Sequence, residues 1–263
     1  MLKASFLYIF TVLYCFFIPK MIYGQVLSGD LGKYSYLIYS NNGQFRYSAT
    51  GFFIRKNDRL FLIGAGHTFN GKNTITGEDD KDYPDSISII ACRECGADSG
   101  VIHIDISKIK KLAQSTTFTK EPEVYVYEVD SKLPFSIKSV DLFVKTFDDV
   151  DKNSIDTVIM YGYPNLAGTT IREIKQTVPT ISFGNLLEKY STLNYYAEIN
   201  TFDKINYLMK PNEKSPMGGG FSGSPCFFKI RNEFYFGGIC IGGSINKRLV
   251  INVRPEEVLK LIQ

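Results

Sequence analysis

The chain has 263 residues, of which 44% are hydrophobic, 14% aromatic and 22% charged, with a formal net charge of +3. Basic and acidic residues are interspersed, without the lysine and arginine concentration that phosphate neutralisation requires, which argues against a nucleic-acid partner. The length is enough to bury one or two substantial cores.

At the N-terminus, Met1-Leu2-Lys3 gives a positive tip, followed by an apolar run from Ala4 to Ile18 that Pro19-Lys20 ends. A membrane-spanning helix needs about 20 apolar residues. The run is shorter and predicts a secretory signal peptide over residues 1–24, with Gly24 the last residue before cleavage and an uncleaved anchor as the alternative. No stable membrane anchor is expected after cleavage. Loss of Lys3 and Lys20 leaves 28 basic against 27 acidic residues in a secreted or periplasmic chain. Tyr14 is too bulky for a lipoprotein processing site, so Cys15 departs with the signal.

Alternating aromatic and β-branched segments predict strands over Tyr34–Tyr39, Phe45–Arg55 and Leu60–Ile63, separated by Asn41-Asn42-Gly43 and Lys56-Asn57-Asp58. The third strand runs into Gly64-Ala65-Gly66-His67, small residues that leave space around an imidazole. The other histidine, His103, lies in Val101-Ile102-His103-Ile104-Asp105-Ile106, whose alternation sets His103 and Asp105 opposite the isoleucines as solvated residues. The stretch from Thr68 to Val140 is long enough to hold an insertion around Cys92 and Cys95, with Ile109 and Leu112 on a brief helix. It reads as an elaborated surface loop or as a substrate-gating loop.

Further strands are predicted over Thr157–Tyr161, Thr177–Phe183 and Leu193–Ile199, then a hairpin from Phe227–Ile230 through Arg231-Asn232-Glu233 into Phe234–Phe236. Pro255 to Ile262 starts with proline and acids and places apolar residues at helical spacing, which predicts a short C-terminal helix. Of the four cysteines left after processing, Cys226 and Cys240 flank the hairpin and could bridge it if the register permits. Cys92 and Cys95 could close a tight loop, but a lone Cys-x-x-Cys is a weak zinc signal. No metal or other cofactor is expected.

The densest chemical signal is Gly218-Gly219-Gly220-Phe221-Ser222-Gly223-Ser224-Pro225. Glycine admits positive φ and lets backbone approach a substrate closely, so Gly220 and Ser222 could aim two N–H groups at one developing oxyanion. A serine hydroxyl near neutral pH needs an adjacent base, and His67 is the candidate. Ser48-Ala49-Thr50-Gly51-Phe52-Phe53, Gly64-Ala65-Gly66-His67 and Gly220-Phe221-Ser222-Gly223-Ser224-Pro225, in that order, resemble the chymotrypsin-fold (trypsin-like) serine proteases, closest to the bacterial trypsin-like peptidases.

The resemblance implies an all-β chain of two antiparallel six-stranded β-barrels, residues 25–150 and 151–263, with a short C-terminal helix and the active site in the cleft between barrels. It implies a triad in which a carboxylate at a strand start orients His67. Asp141-Leu142-Phe143-Val144 matches that form, with Asp105 and Asp156 as rivals. Pro216 stands where trypsin-like enzymes carry their selecting aspartate, and Ile241, Gly242 and Gly243 would complete an open substrate-binding edge, with a lean toward apolar side chains. Phe221 replaces the aspartate that pairs with a freed N-terminus, and no Ile-Val-Gly-Gly-like start follows the signal, so activity without zymogen cleavage is expected. The reading is a serine endopeptidase acting on polypeptides through an acyl-enzyme. Alternatives are a non-catalytic peptide-binding module on the same barrels, and a strand-rich surface protein with a coincidental serine turn. An α/β-hydrolase is excluded, because Cys226-Phe227-Phe228 continues as strand rather than helix.

Overall fold

The computed structural model describes residues 31–41, 46–70, 87–90, 101–104, 110–111, 124–129, 137–141, 149–164, 180–187 and 205–262. The signal segment 1–24, Cys92, Cys95, Asp105 and the strand expected over Leu193–Ile199 lie outside these residues.

The first unit is a sheet of β1 (Ser35–Asn41), β2 (Arg46–Lys56), β3 (Arg59–Ala65), β4 (Ile87–Ile90), β5 (Val101–Ile104), β6 (Lys110–Lys111), β7 (Val124–Val129) and β8 (Ser139–Asp141). Its order is β5-β4-β1-β2-β3-β7-β6, with β8 added beside β2. All pairings are antiparallel except β2 with β8. The β2–β3 turn is made by Asn57 and Asp58, both at positive φ (50° and 60°). Short polar side chains tolerate that region, and the twist of such a turn matches the flanking strands. Along β2 the pleat sends Phe52 and Ile54 to one face and Phe53 to the other, where it meets Tyr36 edge-on at 4.8 Å.

The second unit closes on itself. β9 (Thr157–Gly162), β10 (Thr180–Leu187), β11 (Asn206–Pro211), β12 (Pro225–Ile230), β13 (Glu233–Ser244) and β14 (Leu249–Val253) form a barrel in the order β10-β11-β14-β13-β12-β9. Val158, Met160, Tyr207, Met209, Cys226, Phe228, Cys240 and Val250 come from alternate positions on its strands and touch one another across its inside. The other face carries Ile159, Phe227, Ile239 and Val253, which join Phe52, Ile54, Ile63 and Val126 of the first sheet in one core between the units. Phe52 and Phe236 bring their rings to 5.5 Å across this seam. Burial of this apolar set is what fixes the two units against each other.

Two α-helices, besides single 3-10 turns at Gly32–Tyr34 and Lys152–Ser154, complete the described elements. α1 (Gly66–Asn70) follows β3, and α2 (Pro255–Lys260) begins with proline at its first turn beside Glu256 and Glu257. Val258 and Ile262 bury themselves in the shared core, as the helical spacing expects. Among the described residues, no helix is long and apolar enough to cross a membrane.

The two-unit, mostly antiparallel architecture is as expected, and three details differ. Among the described residues the first unit carries eight strands rather than six. The additional pairings include strands of two and three residues, β6 and β8, too short to show any alternation. Lys110–Lys111 pairs with β7 as a strand between Ile109 and Leu112, where a brief helix was expected. The strand expected over Thr177–Phe183 is described from Thr180 and continues beyond Phe183 to Leu187, while residues 177–179 lie outside the described residues.

Candidate active site

The serine turn is held from three sides. Gly220 and Gly223 lie at φ of 91° and 88°, and Ser224 N–H donates to the Phe221 carbonyl at 2.9 Å, closing the turn around Ser222. Toward the barrel, Gly223 N–H donates to Cys240 O at 2.7 Å and Cys240 N–H donates to Ser224 O at 2.9 Å. Phe221, 3% exposed, sits in the barrel interior beneath the turn. From the first sheet, Thr50 N–H donates to Ser222 O at 2.9 Å. Gly223 is obligatory here, because a Cβ on it would stand 1.8 Å from the Thr50 carbonyl oxygen.

His67 enters from the other unit. β3 delivers it into the first turn of α1, half-buried, and it lines the same cleft as Ser222, a space of about 230 Å³. The cleft continues into the mouth of the barrel between Met160, Met217, Cys240 and Val250, with Gly242 and Gly243 on the wall and no Asp, Glu, Lys or Arg among the described residues that line it. Ile241 lines it as well, while Pro216 is half-buried next to Met217 and outside the wall. Met160 and Val250 escaped sequence reading because they alternate like any core residues on β9 and β14 and only barrel closure turns them toward the cleft, and Met217, in the loop before the glycines, carries no motif of its own.

Cys240 is the other nucleophile type on that wall. Burial pushes its thiol up to about 12, and the thiolate is the reactive form, so the neutral sulfur is chemically quiet. The Cys226 thiol is also pushed up by burial, and it donates to Asn252 Oδ1 at 3.1 Å. Both cysteines are free thiols. The bridge considered between them fails on register: Cys226 stands opposite Gly238, and Cys240 bonds back to Ser224. Among the described residues, no group of three or more His, Cys, Asp or Glu could hold a metal ion.

No protein-family model and no curated protein sequence matches this chain. Solved structures do. HL collagenase superposes with a TM-score of 0.57 at 14% identity, over 89% of this chain and 94% of that one. A scabies mite inactivated protease paralogue gives 0.55 at 12%, over the same shares. A serine endoprotease from Yersinia pestis gives 0.51 at 11%, over 89% of this chain but only 64% of that longer one. The chain has the chymotrypsin-type double-barrel fold. Identities this low establish the fold alone, and the presence of an inactivated paralogue on it means that chemistry must be argued from the site.

Within that fold, the structure brings His67 and Ser222 to one cleft but does not bring the Asp141 backbone there. Asp141 ends the described part of β8, opposite Arg55 on β2, and its side chain and Leu142–Val144 lie outside the described residues. The β2–β3 register sets Gly51 opposite Gly64 and Arg55 opposite Leu60, so the His67 end of β3 lies at the other end of the hairpin. Five residues of strand, about 16 Å, separate the two levels. β8 and β3 also flank opposite edges of β2. An acid before alternating apolar residues is a local pattern that singles out Asp141, whereas β8 pairs parallel to β2 and runs away from the histidine.

Of the rival carboxylates, Asp105 lies outside the described residues and Asp156 is placed no better than Asp141. Asp156 is exposed at the start of β9, its N–H bonded to Lys229 O, about 20 Å of strand from the Gly162 end that adjoins Ser224. His103 lies on β5, opposite Ser88 and three strands removed from β2 in the sheet order. The strand that does reach the histidine turn is β7, whose first residue, Val124, stands opposite Ala65, two residues before His67. In the sequence, Val124 is preceded by Glu123, itself outside the described residues. The pattern Glu123-Val124-Tyr125-Val126 has the acid-then-alternation form, and a search confined to aspartates passes over it.

Proposed function

We propose that this protein is an exported serine endopeptidase that cleaves polypeptides on the carboxyl side of uncharged, apolar residues. The observation that carries the reading is the convergence of His67 and Ser222 on one cleft, with the serine inside a turn whose flanking glycines hold positive φ. Ser222 Oγ attacks the scissile carbonyl carbon while His67 takes its proton. The Gly220 and Ser222 N–H groups receive the oxyanion. The C–N bond then breaks as His67 returns the proton to the leaving amine, and water repeats the sequence to release the acid and free the serine.

The carboxylate that orients the imidazole is assigned to Glu123 on the β7 register, with Asp141 retained as the motif-based rival. The absence of charge among the described residues of the cleft walls favours an apolar side chain, and Gly242, where a Cβ would meet nothing within 4 Å, leaves the entrance wide. β12 pairs with β13 only as far as Ile239, so Ile241–Ser244 has a described strand neighbour on the β14 side alone. An extended peptide can add there as a strand. Phe221, buried where trypsin-type zymogens need a carboxylate, favours activity without N-terminal processing.

The test is hydrolysis of fluorogenic peptides varied at the cleaved position by the chain from Gln25 onward. The expected result is turnover of Leu-, Met- or Phe-bearing peptides that falls at least 10³-fold in Ser222→Ala and in His67→Ala. Turnover retained in both variants overturns the mechanism, and preference for Lys, Arg or Glu overturns the pocket reading.

A further inference from the structure

The run Gly218-Gly219-Gly220 leads into the nucleophile with no side chain to steady it. Gly219 is exposed, and a Cβ built there would meet nothing within 4 Å. Three successive glycines sample φ and ψ more widely than any other residues, and a flip of the peptide before Gly220 would turn its N–H away from an oxyanion. The first tether on this path is Thr50, fully buried on β2 of the other unit. Its hydroxyl donates to the Gly220 carbonyl at 2.7 Å and accepts from Tyr163 N–H at 2.9 Å. Its own N–H holds Ser222 O at 2.9 Å. One threonine therefore fixes the backbone on both sides of Phe221.

Resting on the serine-protease reading of the same cleft, we propose that the Thr50 hydroxyl is the positioning residue of the oxyanion turn. It does from a neighbouring strand what no ion pair at Phe221 can do. The bond to Gly220 O fixes the peptide plane that follows Gly220 and so anchors the Cα about which the preceding peptide, the one that carries the Gly220 N–H, would have to turn. Tyr163 N–H takes the acceptor side of the hydroxyl, so its proton is committed to Gly220. The packing of Phe221 inside the barrel holds the turn from below, and Thr50 holds it from across the seam. Removing the hydroxyl without changing the side-chain volume takes away the bond to Gly220 O and the bond from Tyr163 N–H, at a part-buried place where lost hydrogen bonds are costly. The turn then spends most of its time away from the competent arrangement.

The experiment is time-resolved labelling of the protein with a fluorophosphonate, in which the Ser222 Oγ–P bond forms, fluoride leaves and the serine proton passes to His67. The phosphoryl oxygen takes the place of the oxyanion, so the saturating rate reports on the turn and the half-saturating concentration reports on binding. Thr50→Val is expected to lower the saturating rate about ten-fold or more with little change in the half-saturating concentration. Thr50→Ser restores the rate to within about three-fold, and Thr50→Cys, a weaker donor of similar size, falls between. Hydrogen exchange over residues 217–224 rises in the valine variant and not in the serine variant. If valine fails to fold, the serine–cysteine difference carries the comparison. Equal rates and equal exchange in all variants overturn the proposal. If wild-type protein is not labelled at Ser222, the serine-protease reading falls, and the exchange comparison alone then supports or overturns the Thr50 tether.

Discussion

Gly223→Ala is the substitution for which the structure makes the sharpest demand. The new methyl would lie 1.8 Å from Thr50 O and 3.2 Å from Ala65 N, both backbone atoms that cannot rotate aside. An L-residue held at φ of 88° also pays about 1–2 kcal/mol of conformational strain. To admit the methyl, β2 and the serine turn must separate. That breaks Thr50 N–H to Ser222 O and Thr50 Oγ1–H to Gly220 O, and strains Gly223 N–H to Cys240 O. Three hydrogen bonds at roughly 0.5–1.5 kcal/mol each, added to the strain, give a destabilisation of about 3–6 kcal/mol. Urea unfolding followed by circular dichroism measures it, with Gly242→Ala as a control expected to stay within about 0.5 kcal/mol, because nothing lies within 4 Å of its Cβ position. A Gly223→Ala protein within about 1 kcal/mol of wild type would refute the account of the turn as clamped between the two units.

Gly242→Val should fill the cleft entrance and lower kcat/KM for peptides with Phe or Leu at the cleaved position by about ten-fold or more relative to those with Ala, read from parallel progress curves. Glu123→Gln should lower kcat by about 10³–10⁴, whereas Asp141→Asn should stay within a few-fold, and the reverse order would restore the motif-based assignment. The Cys240 thiol is held by burial at about 12 against an ordinary value of 9.0. Its contribution to stability is fully present below pH 9 and is lost as pH rises toward 12, because the unfolded chain ionises first. That amounts to on the order of 2 kcal/mol by pH 10.5. Thermal unfolding between pH 7 and 11 should show this decline, and Cys240→Ala should make it shallower.

What could be read in the sequence was what is local. The β2–β3 hairpin announces itself through Asn57-Asp58 between alternating runs, the β12–β13 hairpin through Arg231-Asn232, and α2 through Pro255 and the acids after it. His67 and Ser222 stood out because each sits among glycines and small residues, a composition that suits close backbone approach. Pairings between distant segments were hidden. Nothing near Asp141 reveals that β8 lies parallel to β2 with Asp141 at the Arg55 end, and nothing near Val124 reveals that it faces Ala65. The same holds for Thr50, whose hydroxyl acts on a carbonyl 170 residues away. Cys226 and Cys240 looked bridgeable because they flank a hairpin, but the register, irregular between Cys226 and Phe227, leaves them out of step.

The most direct test of the central claim is to label the protein, taken from Gln25 onward, with a fluorophosphonate and identify the modified residue by mass spectrometry beside a Ser222→Ala control. Modification confined to Ser222 and absent from the control is the predicted result. A folded protein that takes no label, or takes it elsewhere, would contradict the assignment of this cleft as a serine nucleophile site.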